Sequence, residues 1–184
     1  NAASAVNWAR SLGLFADYAE IDAFAAESAI SRGLAFVPAL SGLSCPYWDR
    51  RAAGLWLGMG LDTTKADMMQ ALLEGVALLA ETVLATIDAL SPLGQVVSVD
   101  GGLSRNGYFT RFLAEATSKR IRVPASAELT GLGAAQLAML GAGKASLDTL
   151  PAPAPRTEIV PQAPLPRALH ARFAEAVERS KAWR

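Results

Sequence analysis

From Gln95 to Gly143 the chain alternates between two periodicities, and that alternation limits the fold more than any other feature. An apolar run, "QVVSV" (Gln95 to Val99), leads through "DGG" into a helical stretch from about Asn106 to Ser118. A second short run, "RIRV", then precedes a Gly/Ala-rich helical segment, "LTGLGAAQLAMLGAG". Strand, helix, strand, helix is the pattern of an α/β domain. A chain of 184 residues suffices for one such domain with a buried core, or two small ones.

Upstream, Ala2 to Leu14 and Glu20 to Ser31 are predicted as short Ala-rich helices or helical turns. "GLAFVPALSGL" reads as a buried strand running into a loop punctuated by Pro38, Gly42 and Pro46, and "GLWLGMGL" as a second strand. Thr64 and Asp67 stand at N-cap and N3 spacing, which starts a helix that runs to about Leu90. Met68, Leu72, Gly75, Val76, Leu79, Val83, Ile87 and Leu90 lay one apolar stripe along roughly 40 Å of it. Gly75 lowers helix propensity, so another element is expected to approach closely there. Leu150 to Pro166 hold six prolines and read as an extended strap. A last helix, near Arg167 to Trp183, is expected to turn Leu169, Phe173, Val177 and Ala182 inward. This divides the chain into a lobe over residues 1–150 and a strap with C-terminal helix over 151–184, packed on the same lobe.

Seventeen basic and seventeen acidic side chains cancel. No bulk attraction to nucleic acid or an anionic membrane follows, and neither is expected as a partner. No apolar run is expected to reach the roughly 20 residues of a membrane span, and the opening lacks a signal-peptide pattern. Cys45, the single cysteine, has no internal disulfide partner, which suits a reducing, cytoplasmic setting. The chain begins "NAASAVNWAR", without Met and in a helical pattern, so it is expected to be a piece of something longer, truncated on its N-terminal side.

The turn after "QVVSV" offers the chemistry. Two glycines close a strand that is expected to be buried; they permit positive φ and let a ligand lie against bare backbone. Free amides at the next helix N-terminus would favour an anion or a polar ring. Asn106 is placed either to reach a ligand seated on Gly102 or to cap the helix. The spacing matches neither a dinucleotide fingerprint nor a phosphate-binding Walker loop, so a plain strand-to-helix connection stays open. Elsewhere, Asp49 reads as part of a structural loop and Asp100 as a brace for its turn. His170 has no Ser or Cys partner at motif spacing and reads as a solvated surface side chain. Cys45 reads as a buried structural thiol, the four tryptophans as core or loop packing, and Arg50 and Arg51 as an exposed basic pair facing water.

Three segments, "VPALSGLSCPYWDRRAAGLWLGMGLDTTKADMMQALLEGVAL", "VDGGLSRNGYFTRFLAEATSKRIRVP" and "ELTGLGAAQLAMLG", in this order and spacing, closely resemble the C-terminal domain of the FGGY carbohydrate kinases. Within the family "GLSCPYWD" resembles the glycerol kinase form of the loop. The resemblance implies a ribonuclease-H-like α/β lobe of the actin, hexokinase and Hsp70 type, paired with an N-terminal lobe. It implies ATP or ADP with Mg²⁺ as cofactor and a polyol or sugar as substrate, most simply glycerol giving glycerol 3-phosphate. By the same resemblance Gly102 and Asn106 contact the adenine nucleotide, Gly101 shapes the turn, and Gly131 in "TGLGAA" lies beside the adenosine. Asn7 stands where the family has Gln before Trp, and Ala3 where it has Gly. The Gly-Asp-Gln motif that carries the catalytic aspartate, and the Thr-Gly phosphate loop, do not occur here. The resemblance therefore implies a nucleotide-binding lobe without catalytic residues of its own, inactive alone. The alternative is a regulatory or chaperone-like nucleotide-binding module on the same fold. An exposed apolar face toward the other lobe would favour homo-oligomers.

Overall fold

The computed structural model describes residues 2–24, 27–126, 128–150 and 154–184. Helix α1 (Ala2–Ser11) is followed by a 3-10 turn (Tyr18–Ile21) and by a two-stranded antiparallel sheet, β1 (Ala35–Val37) with β2 (Leu55–Leu57), in which Phe36 faces Trp56. Helix α2 (Lys65–Leu90) then crosses the molecule. Strand β3 (Val96–Ser98), helix α3 (Gly107–Thr117) and strand β4 (Arg120–Pro124) form a βαβ crossover, with β3 and β4 parallel. Helix α4 (Leu129–Gly141), strand β5 (Pro155–Ile159) and helix α5 (Arg167–Ser180) complete the described chain.

Helix α2 begins where the sequence places it. The Thr64 side chain accepts from the Asp67 amide and the Asp67 carboxylate accepts from the Thr64 amide, so two orphan donors of the first turn are satisfied reciprocally. Its burial departs from a single stripe: Met69 to Leu78 are enclosed on every side, whereas Ile87 and Leu90 emerge into solvent. The enclosed half is walled by β1, α3, α1 and α5. Gly75 makes that possible, because a Cβ there would land on the Phe36 carbonyl oxygen of β1. With 26 residues, α2 is also long and apolar enough to cross a membrane, against the expectation that no segment is; here it serves as the core helix.

Four further expectations are corrected. The expected helical stretch from Glu20 to Ser31 is a 3-10 turn ending at Ile21 and tight turns after Glu27, with Ala25 and Ala26 outside the described residues. Its reason is tertiary: the amides of Ala29 and Ile30 donate to the Glu74 carboxylate of α2 rather than to a local helix ladder. Strand β3 is not buried, since it is the edge of the order β3-β4-β5 and its Val96 and Val97 are only half-covered. The proline-rich strap, whose residues 151–153 lie outside the described residues, contains β5, which pairs antiparallel with β4, Thr157 opposite Val123 and Ile159 opposite Ile121. Helix α5 turns Phe173, Ala176, Val177 and Ser180 inward, whereas Ala182 lies beyond its end, exposed and at φ 49°.

Candidate functional site

The turn between β3 and α3 is held open by one glycine and braced by one serine. Gly101 has φ 86° and ψ −179°, a conformation essentially closed to residues with a Cβ. The Gly101 carbonyl accepts from both the amide and the hydroxyl of buried Ser104, at 3.2 and 2.7 Å, which coils Gly102–Arg105 into a 3-10 turn. Asp100, expected to brace the turn, is exposed and makes no hydrogen bond among the described residues; Ser104 has taken that role.

A cleft of about 550 Å³ opens beside this turn. One wall is α1, with Val6 and Asn7; the second is the Tyr18–Ile21 turn with Asp22; the third is Gly102, Leu103, Arg105 and Asn106. The structure thus brings Asn7, Gly102 and Asn106 together across about a hundred residues of chain. Gly101 lines an adjoining groove with Gly102, and Gly131 lies exposed in the first turn of α4, outside the cleft lining. A Cβ on Gly102 would meet nothing within 4 Å, so its bare backbone faces open space that a ligand could fill. The volume lies within the roughly 300–1,000 Å³ of small-molecule sites.

Asn106 works first as a structural residue. Its side-chain oxygen caps α3 by accepting from the Phe109 amide at 2.7 Å, and its amide nitrogen donates to the Ile21 carbonyl at 2.6 Å. One amide hydrogen is left for a ligand. The neighbouring helix N-terminus is also satisfied, because the Gly107 amide donates to the Asp22 carboxylate and the Tyr108 amide to the Asp22 carbonyl. The expected attraction of free amides for an anion is therefore absent from this end of α3. Asn7 is fixed by the Tyr18 hydroxyl, which donates to its side-chain oxygen at 3.0 Å, and Arg10 lies over the Tyr18 ring.

Tyr18 and Asp22 escape a reading by motif. Their placement depends on a capping box in which Asp17 accepts from the Ala19 amide and Glu20 accepts from the Asp17 amide. That Asp-x-x-Glu spacing, visible at residues 17–20, was the available signal.

Below the cleft runs a buried polar chain. Glu74 is 1% exposed and receives the Ala29 and Ile30 amides and the Tyr108 hydroxyl. Gln70 donates to the same hydroxyl and accepts from Arg32, which in turn pairs with Asp67 at 2.7 Å. Burial pushes the Glu74 carboxyl up to about 7 against the pull of its three donors, and it raises the Tyr108 phenol well above its ordinary value.

The remaining side chains fall into structural roles. Asp49 accepts from the amides of Arg51 and Ala182, which hold its carboxyl below the usual range, and Arg51 donates to the Arg184 carbonyl. Arg51 thus ties down the last residues while staying exposed, as Arg50 does. His170 is half-buried, 3.6 Å from Glu81, rather than free on the surface. Cys45 is half-buried. Trp8 stacks on Phe36 and on Trp56 against the core, whereas Trp48 and Trp183 are each 75% exposed.

A mixed α/β lobe built on a βαβ crossover, with a glycine turn opening on a cleft, has the fold of one lobe of the actin, hexokinase and Hsp70 class. The chain belongs to the FGGY family of carbohydrate kinases, whose C-terminal domain matches residues 1–142. It is 36% identical to a glycerol kinase of Thermus brockianus over 99% of this chain and 38% of that protein. The solved structure of Plasmodium falciparum glycerol kinase with ADP superimposes with a TM-score of 0.77 at 27% identity, covering 97% of this chain and 37% of that one. A xylulose kinase from Brucella ovis superimposes with a TM-score of 0.78 at 26% identity, over 97% of this chain and 36% of that one. The chain spans under two fifths of the length of the relatives it matches.

Proposed function

We propose that this lobe binds the adenosine end of ATP or ADP in the cleft between α1, the Tyr18–Ile21 turn and the Gly102–Arg105 turn. In this reading it serves a longer kinase that phosphorylates a polyol or sugar, most simply glycerol to glycerol 3-phosphate. The observation that carries the reading is the convergence of Asn7, Gly102 and Asn106 on one cleft. The lining offers surfaces for a base and ribose, namely backbone at Gly102, a half-exposed tyrosine ring, and carboxylate and amide oxygens, with Arg105 as its one cation. With the helix amides already capped, the phosphates and their Mg²⁺ would extend away from α3, toward groups this chain does not contribute. ATP supplies the transferable phosphoryl group, and phosphoryl transfer depends on positioning and charge stabilisation around it. In this chain Ser104 holds the glycine turn, Tyr18 holds Asn7, and Asn106 joins α3 to Ile21.

Calorimetric titration with Mg-ADP and Mg-ATP tests the reading. Saturable binding by the wild-type chain is expected, with Gly102→Val weakening it at least tenfold, since its side chain would project into the cleft. Tyr18→Phe, which frees Asn7 without disturbing the α3 cap, is expected to weaken it severalfold. A folded chain that binds neither nucleotide, or binds equally well as Gly102→Val, would sink the proposal. No glycerol phosphorylation by the chain alone is expected; turnover would refute its inactivity.

A further inference from the structure

On the other side of the 3-10 turn, two adjoining grooves of about 270 and 420 Å³ share Ser104, Arg105, Val123 and Arg156. The larger adds Thr110 and Arg111 of α3 and Thr157 of β5. Three arginines, Arg105, Arg111 and Arg156, thus line one groove of small-ligand size. All three are exposed, and none makes an ion pair or side-chain hydrogen bond among the described residues. The one carboxylate in the larger groove, Glu158, is already engaged by Arg120 at 3.2 Å and Arg122 at 3.4 Å. Asp100 stands in the smaller groove.

The chain carries as many acidic as basic side chains, yet no carboxylate pairs with these three arginines among the described residues. Like charges brought to one groove repel, and the repulsion is relieved when an anion enters. Guanidiniums present planar pairs of donors that match phosphoryl oxygens, and charge-assisted bonds of this type are the strong ones. The three arginines come from three different elements, so they surround one volume instead of forming a stripe that a polymer backbone could track.

We infer that the groove between the start of α3 and β5 is a phosphate-binding site, separate from the nucleotide cleft, that takes the phosphoryl group of a small phosphate ester or diphosphate. Arg105 and Gly102 line both the nucleotide cleft and the smaller groove, so an anion held by Arg105 would bear directly on the turn that forms the other site.

Inorganic pyrophosphate is the probe. Calorimetry of the wild-type chain at constant ionic strength should show saturable binding that sulfate competes for and chloride does not. Arg156→Ala and Arg111→Ala should each weaken it at least fivefold, and the double variant should abolish it, with circular dichroism spectra unchanged. Arg156→Lys should restore part of the loss. Asn7→Trp, which fills the nucleotide cleft from α1 and lies outside both grooves, should leave pyrophosphate binding within twofold of wild type. Binding lost in Asn7→Trp yet kept in the arginine variants would assign the anion to the nucleotide cleft and overturn the inference. Absence of saturable binding, or equal binding by the double variant, would overturn it too. Because the probe carries no base or ribose, failure of this site and failure of the nucleotide reading are separately visible.

Discussion

Helices α2 and α4 are both apolar, both carry glycine, and have opposite fates. Met69 to Leu78 of α2 are enclosed on all sides, while α4 buries none of its thirteen residues and leaves Leu137 70% and Met139 44% exposed. Gly75 of α2 lies against the Phe36 backbone, whereas Gly131 and Gly133 of α4 have nothing within 4 Å of where a Cβ would be. Composition decides that a helix gains by leaving water; its neighbours decide whether it does. The same glycine that admits a strand in one helix admits only solvent in the other.

The contrast can be broken most sharply at the glycines. Gly75→Ala should destabilise the chain by about 3 kcal/mol or more, since the added methyl meets backbone that has nowhere to go. Gly133→Ala should be neutral or stabilising by up to ~1 kcal/mol, because it only improves helix propensity. Urea unfolding of both variants checks this, and equal effects would erase the distinction. A leucine pair comes next. Leu72→Ala should cost about 2–5 kcal/mol and Leu137→Ala no more than about 0.5 kcal/mol, measured the same way.

Glu74 gives the buried half a pH dependence that α4 lacks. Its carboxyl ionises at about 7 in the folded chain and near 4.5 when unfolded. Between those values the folded state holds a proton that the unfolded state has released, so this group's contribution to stability is greatest below pH 4.5 and declines as pH rises through about 7. Glu74→Gln should flatten that decline in denaturation curves taken from pH 4.5 to 8. A modest effect is expected at the α3 cap: Asn106→Ala should cost about 1 kcal/mol of thermal stability before any ligand is added.

Much of this contrast was legible in the residues. Thr64 and Asp67 announce the start of α2, and a glycine amid large apolar residues announces a close approach, because both act within a turn or two of their own position. The alternation after Gln95 likewise specifies the βαβ unit. What was not legible acts over distance. Glu20 to Ser31 look helical until Glu74, some forty-five residues on, takes two of their amides. Val96 and Val97 look buried until the strand order makes β3 an edge. The candidate cleft divides in the same way: the glycine turn and Asn106 stand out in the chain, whereas Tyr18 and Asp22 join them only through the folding of an irregular segment that carries no periodicity.

The polar chain through Asp67, Arg32, Gln70, Tyr108 and Glu74 has a mechanical consequence. It runs from the first turn of α2 into the first turn of α3, two residues past Asn106, and works as a tie-rod between the helices. A ligand that pulls on the cleft cannot tilt α3 without dragging α2 and the sheet pressed on Gly75. The Tyr18–Ile21 coil is roped to the same frame, because Asn106 holds Ile21 and the Gly107 and Tyr108 amides hold Asp22, so that wall of the cleft is carried along with α3.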